Sequence, residues 1–353
     1  MTTSSAPDRP AGVDAPPGLP VVEGPAFEDL AVGDVFAQAP PLTLDAGLAA
    51  AHRAVVGDRT RLHLDAGLCR RVTGSDAVLA PPALVWDVAI GQSTPVSHRV
   101  VANLFYRGLV LERAPALGDT LSTTTEVVAL RQNRARPGRR PTGLAVLHIT
   151  TADQHGRVVL DFWRCPMLPL RDPGATTGHA DDVDGVGREG GGRGDGRGAV
   201  TGWDLDAFRD GLAGVRLRPV RRGDAFAVGG GDVVSSSAEL ARLTLNTAAV
   251  HHDAAAGGGT RLVYGGHTIG VALHQVSRAL PQLVTVLSWE SCDHTGPVRE
   301  GDTLRSTVHV DDVEDPPGGG RLARLRVRVR AEAAGGPPTD VLDWRFLALV
   351  AEP

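Results

Sequence analysis

The chain contains no lysine: all 36 of its basic residues are arginine. Arginine forks bind phosphate bidentately, yet the accompanying abundance of alanine, glycine and proline points to GC-rich coding rather than to a phosphate-binding surface. Positive charge is not in excess either. The formal net charge of −5 supplies no field for nucleic acid. Cysteine is scarce, and Cys69, Cys165 and Cys292 are far apart and odd in number. They make neither a disulfide framework nor a metal motif and are expected as small buried hydrophobes. No apolar run approaches the roughly 18–20 residues of a membrane span. The N-terminus lacks the basic segment and apolar core of a secretory leader. A soluble, cytoplasmic protein is expected, with neither membrane nor nucleic acid as a partner.

What is present is repetition. The 353 residues leave room for two domains, and at 42% hydrophobic and 22% charged each half can bury its own core. Gly33-Asp34 answers to Gly223-Asp224, and Asp58, His63 and Asp65 answer to Asn246, His251 and Asp253. Gly118-Asp119-Thr120-Leu121 answers to Gly301-Asp302-Thr303-Leu304, and Leu160-Asp161 to Leu342-Asp343. The offset drifts only from 190 to 182 residues, as small loop deletions would cause, so one unit occurs twice. Residues 1–24 lack periodicity and read as a disordered tail. Residues 172–202, with Gly190-Gly191-Gly192-Arg193-Gly194-Asp195-Gly196, read as a flexible linker between a copy at 25–171 and a copy at 203–353.

Each copy has the same expected order: a short strand running into Gly-Asp, a polar motif, a helix, then strands. Arg324 to Arg330 alternates strictly, which puts Leu325, Val327 and Val329 on one face of a strand and an arginine row in solvent. Ile269, Leu273, Val276 and Leu280 recur at helical spacing from about Gly266, and Pro281 ends that helix. Antiparallel strands wrapped around one long apolar helix form a hotdog. Two in one chain predict an α+β double hotdog with its sheets joined edge to edge.

The run 243–253, with Asn246 five residues before His251, is followed by Gly265-Gly266-His267-Thr268-Ile269 opening the apolar helix. This pattern resembles the hydratase motif of the MaoC-like enoyl-CoA hydratases. It is most similar to the β-methylmalyl-CoA dehydratase (mesaconyl-CoA hydratase) branch, in which Asn replaces the wider family's Asp. The resemblance extends to Ala102-Asn103-Leu104-Phe105-Tyr106, Leu130-Arg131-Gln132-Asn133 and His294-Thr295-Gly296-Pro297, and covers nearly all of 25–350 outside the linker. One departure is Thr247, which stands where the wider family has proline. The resemblance implies reversible hydration of the α,β double bond of a short or branched acyl-CoA thioester, without cofactor or metal, by a homodimer.

That chemistry needs an acid/base group, a group that fixes the water and donors for an enolate oxygen. His251 titrates in the right range to be the acid/base. Asn246 cannot be a base but can hold water through its amide. Gly265 and Gly266 open a helix whose first N–H groups are unpaired and lie at the positive end of its dipole, with room for a thioester to approach; the Gly266 N–H, joined by that of Gly265, is the expected oxyanion donor. His251-His252-Asp253 is not a metal set, because neighbouring side chains diverge and no third cluster has ligand spacing. His267 and His294 either line the site or lie near it, and Asp253 reads as a surface cap. In the first copy Asp58 and His63 fit the wider family's motif, but Pro81-Pro82 stands where the second copy has glycines, and proline supplies no N–H. That copy is therefore read as a structural and acyl-pocket partner, with Trp86 bordering the pocket. The alternatives are an (R)-specific enoyl-CoA hydratase or 3-hydroxyacyl-thioester dehydratase of lipid or polyketide metabolism and, outside that class, a hotdog thioesterase or a non-catalytic acyl-CoA-binding module.

Overall fold

In the computed structural model, which describes residues 21–187, 194–316, 320–333 and 335–351, both copies run from two short strands through helices to four long strands, the first with two more α-helices than the second. The first comprises β1 (Val35–Phe36), β2 (Leu42–Thr43), α1 (Ala46–Val56), α2 (Arg61–Leu64), α3 (Ala66–Thr73), α4 (Pro82–Gln92), β3 (Ala102–Leu111), β4 (Thr120–Gln132), β5 (Thr142–Ala152) and β6 (Val158–Pro169). A connecting helix α5 (Leu205–Asp210) leads to the second: β7 (Ala225–Ala227), β8 (Asp232–Val233), α6 (Ser237–Leu243), α7 (Gly265–Ala279), β9 (Leu283–His294), β10 (Thr303–Glu314), β11 (Arg321–Glu332) and β12 (Thr339–Val350).

The main path of the sheet, β1-β4-β5-β6-β3-β9-β12-β11-β10-β7, reads as the same order forwards in one copy and backwards in the other. The seam is β3 against β9, antiparallel, with Tyr106 opposite Cys292 and Leu109 opposite Trp289. This is the expected α+β double hotdog joined edge to edge. In β11, Leu325, Val327 and Val329 are buried, as their alternation requires. Along α7, Ile269, Leu273, Val276 and Leu280 are buried too. Helix α4 is buried on every side, consistent with an almost wholly apolar run that leaves no polar face for solvent.

Two local readings change. The Gly-Asp pairs do not end strands; they form the turns that open them. Gly33 (φ +94°) and Gly223 (φ +87°) take left-handed backbone, and the next Asp closes the turn, Asp34 accepting from Ala31 N–H at 2.8 Å and Asp224 from Arg221 N–H at 3.1 Å. β1 and β7 follow these turns. Residues 172–187, in the stretch read as a flexible linker, lie along β4: Ala180 bridges Arg131, Asp181 N–H donates to Leu130 O at 3.0 Å, and Val183 is buried. Further on, Leu205, Phe208 and Leu212 pack among Leu62, Leu68 and Val72 of the first copy and Val284 and Leu287 of the second. A few apolar side chains, diluted by glycine in the composition, find buried sites. Gly190 to Arg193 and the first 20 residues of the expected tail lie outside the described residues, while Glu23 pairs with Arg99 at 2.7 Å. Among the described residues no helix is long and apolar enough to cross a membrane.

Candidate active site

The second copy's polar motif is held in a strained loop after α6. Leu245 adopts φ +59°, a left-handed conformation disfavoured for a residue with a Cβ, and Asn246 N–H closes back on Ala241 O at 2.8 Å. Asn246 Oδ1 accepts from Ala248 N–H at 2.9 Å, which fixes its carboxamide. Two contacts tie the loop to the first copy. Ala249 N–H donates to His98 O at 2.9 Å, and Thr247 N–H donates to Thr94 Oγ1 at 2.8 Å. Thr247 thus uses the very N–H that the family's proline would lack.

A short turn then presents His251, 8% exposed. Its Nδ1 lies 2.8 Å from Leu262 O; a carbonyl can only accept, so Nδ1 carries the proton and Nε2 keeps its lone pair. Burial pulls the imidazole's pKa down to about 4, against the opposing pull of the Leu262 carbonyl. His251 is therefore a neutral base at physiological pH. Tyr264 caps α7 and accepts from His267 N–H at 3.0 Å. Gly265 and Gly266, the first two residues of the helix, have N–H groups without an intrahelical acceptor.

A cleft of about 1280 Å³ runs along the seam between the copies. Asn246, His251 and Gly265 line it from the second copy, and Ile90, Thr94, Tyr106 and Arg164 from the first. Arg99, Arg139, Arg140, Arg171 and Arg299 also border it. Gly266 does not. The room left by each glycine is taken by protein: a Cβ at 265 would lie 2.6 Å from His294 Nε2, and one at 266 would lie 1.9 Å from Asp87 Oδ1. Glycine is needed at both positions for packing, whatever approaches their N–H groups. His294 lines the cleft, whereas His267 is sealed behind it with neither ring nitrogen hydrogen-bonded. His252 Nε2 meets Asn246 O at 2.6 Å. Asp253 is exposed and accepts from Ala255 N–H at 2.8 Å.

The first copy's counterpart is closed. Asp58 Oδ1 accepts from the Thr60 N–H and hydroxyl, and that hydroxyl meets His63 Nδ1 at 3.0 Å, a local chain. The space beside His63 is only about 20 Å³, lined by Pro82 and by Ala199, Val200 and Trp203 of the connecting segment. The helix caps refine the match between copies. Pro81 and Tyr264 are the N-caps of α4 and α7, so Pro82 corresponds to Gly265 and Ala83 to Gly266. Trp86 is fully buried and does not border the cleft; it meets Trp289 and Trp344 edge-on, with centroids 4.9 and 6.1 Å away. The α4 side chain in the cleft is Ile90, one helical turn on.

Sequence reasoning passed over Asp87, Tyr264 and Arg164. Asp87 is fully buried, with Oδ2 2.8 Å from His52 Nε2, and its backbone oxygen accepts from the Tyr264 hydroxyl at 2.9 Å. The signal for it was an acid in a helix that is otherwise apolar up to its last residue, Gln92. Arg164 shares the inner face of β6 with Leu160 and Phe162, and at the repeat offset its counterpart is Phe346. A charge where the other copy has a phenyl ring was the available clue.

Four histidines, His63, His251, His267 and His294, have pKa values lowered to about 4 by burial. On unfolding each returns to about 6.5, so between those values the unfolded chain binds more protons than the folded one. Their stabilising contribution is fully present above pH 6.5 and is lost as pH falls towards 4, by up to about 1.4 kcal/mol per pH unit for each. Urea midpoints are expected to drop clearly between pH 7 and pH 5, and His267→Leu should flatten the slope by about one proton. An unchanged midpoint over that range would contradict this account.

No family model matches the chain. A mesaconyl-CoA hydratase of Cereibacter sphaeroides is 30% identical over 341 residues, covering 92% of this chain and 94% of that protein. A β-methylmalyl-CoA dehydratase of Chloroflexus aurantiacus is 29% identical over 360 residues, covering 93% and 97%. Among solved structures, Rv0216, a conserved hypothetical protein of Mycobacterium tuberculosis with a double hotdog fold, is 51% identical with a TM-score of 0.86, over 92% of this chain and 98% of its own. The chain belongs to the MaoC-like double-hotdog hydratase/dehydratase family, in the branch of the β-methylmalyl-CoA dehydratases and mesaconyl-CoA hydratases.

Proposed function

We propose that the protein is a hydro-lyase that reversibly adds water across the α,β double bond of a short or branched acyl-CoA thioester. The observation that carries this reading is His251, its Nδ1 proton committed to Leu262 O so that Nε2 is the base in the cleft. In the hydration direction His251 Nε2 takes a proton from water as the water oxygen attacks the β carbon. The electron pair moves to the thioester oxygen, and the resulting enolate is held by the Gly265 N–H, with the Gly266 N–H adding to the positive helix end. His251 then returns its proton to the α carbon on the same face, and the proton count closes. Asn246 positions the water.

The division of roles follows. The copy at 203–353 carries the chemistry, and the copy at 25–171 braces the catalytic loop and forms the acyl pocket. The arginines along the cleft suit the CoA phosphates. A cytoplasmic location belongs to the same proposal, supported by three free, buried cysteines. So does a homodimer, to be read by analytical ultracentrifugation. Assays of crotonyl-, mesaconyl- and longer enoyl-CoA, following loss of enoyl absorbance, test the activity; no turnover of any of them would refute it. Asn246→Ala is expected to lose about 10²–10³ in kcat, as for one positioning donor. Asn246→Asp restores the wider family's pair. If it is as inactive as Asn246→Ala, the amide is specifically required.

A further inference from the structure

His294, the last residue of β9, lines the cleft beside the N-terminus of α7. A Cβ at Gly265 would lie 2.6 Å from its Nε2 and 2.9 Å from its Cε1, so that edge of the ring rests on the residue whose N–H faces the thioester. The ring meets Tyr106 edge-on, with centroids 5.8 Å apart. It makes no hydrogen bond among the described residues, and Nε2 is sealed. Burial, aided by the field of His251, pulls its pKa down to about 4. At neutral pH it is therefore an uncharged imidazole, with one nitrogen protonated and the other bearing a lone pair. A sealed N–H without an acceptor is the costlier orphan, so Nε2 keeps the lone pair and Nδ1 carries the proton. Nδ1–H is then the group that His294 can offer to the cleft.

Packing does not demand an imidazole at this position. Its counterpart in the first copy is Leu111, which pairs with Leu160 as His294 pairs with Leu342, and Leu160 and Leu342 are themselves repeat partners. Leu111 is buried and lines the closed space beside His63. The polar side chain thus stands in the copy whose site is open, and an apolar one in the copy whose site is shut. His251 is not its partner, since no hydrogen bond joins the two rings among the described residues and their polarities differ: His251 presents a lone pair, His294 an N–H. The helix end leaves a place for such a donor, because Gly265 lines the cleft and Gly266 does not. Resting on the hydro-lyase reading, we infer that His294 is a further catalytic residue, its Nδ1–H hydrogen-bonding the thioester oxygen alongside the Gly265 N–H. A neutral imidazole can polarise a carbonyl in this way. As water attacks the β carbon and the electron pair moves onto that oxygen, the hydrogen bond strengthens. The proton stays on Nδ1, so His251 alone exchanges protons and the count is unchanged.

The test uses the enoyl-CoA that the wild type hydrates fastest. His294→Leu, which installs the first copy's residue, should lose about 10²-fold in kcat and in kcat/KM alike, as for one oxyanion donor. His294→Asn places an amide N–H about where Nδ1 lies and should recover most of that loss, whereas His294→Gln reaches towards Nε2 and should not. Activity of His294→Leu within about threefold of wild type, a loss confined to KM, or an asparagine variant as impaired as the leucine one overturns the assignment and leaves the hydro-lyase reading intact. Infrared spectra of bound, isotope-labelled butyryl-CoA, a saturated and unreactive thioester, separate the two claims. The thioester carbonyl stretch should move to higher wavenumber in His294→Leu and return in His294→Asn, which upholds the donor even if no enoyl thioester is hydrated. An unchanged stretch, with binding verified by calorimetry, refutes it. If the leucine variant does not fold, the asparagine and glutamine variants carry the same comparison, and equal stretches in those two refute it.

Discussion

Replacing His251 with alanine is expected to lower the rate of enoyl-CoA hydration by about 10³–10⁴, because one group both takes the water's proton and returns it to carbon. The fold should survive, since the imidazole makes one side-chain hydrogen bond, to Leu262 O, and otherwise faces the cleft. His63→Ala is the matched control. With its site reduced to about 20 Å³ and roofed by Val200 and Trp203, it should retain activity to within about threefold. With a pKa of about 4 for His251, kcat/KM should stay flat from pH 8 down to about 5 instead of bending near 6.5. Comparable losses in the two single variants, with everything lost in the double, would mean that both copies catalyse.

Trp86→Ala should have the largest effect on stability, about 3–5 kcal/mol. The indole is fully buried at the meeting of α4 with the sheets of both copies, edge-on to Trp289 and Trp344. Neither neighbour can collapse far into the space left, because Trp289 is in the seam strand β9 and Trp344 stacks on Phe346 at 4.0 Å. Chemical denaturation would show this as a fall in midpoint, with the acyl preference of the folded fraction unchanged. A stable variant that accepts longer acyl chains would instead place Trp86 at the pocket.

The duplication, the two buried helices and the alternating strands were legible because each rests on a period, of the repeat, of 3.6 or of two, that any reader of residues can count. That Asn246 and His251 line one cleft was legible for the same reason: the unit occurs twice and one copy is altered. What was not legible depends on distant neighbours. Gly266 reads as a residue opening a site, yet Asp87, 179 positions earlier in the chain, fills the space it leaves. Trp86 and Ile90 lie one turn apart on a helix buried all round, so no polar face says which of them meets the cleft. Composition also hid the path of 172–187, which a buried side chain such as Val183 decides while glycine dominates the count of the stretch.

The seam between β3 and β9 also bears on what either half could be alone. At the outer ends of the sheet the edges are short, the two residues of β1 and the three of β7, too little to template another chain. A half cut free would bare the seam edge of the 10-residue β3 or the 12-residue β9, paired between Phe105–Val110 and Ser288–Asp293, a row of unsatisfied amides and carbonyls inviting a stranger's strand. Fusion of the copies therefore protects against aggregation as well as building a cleft: the most adhesive edge of each is permanently occupied by its sibling.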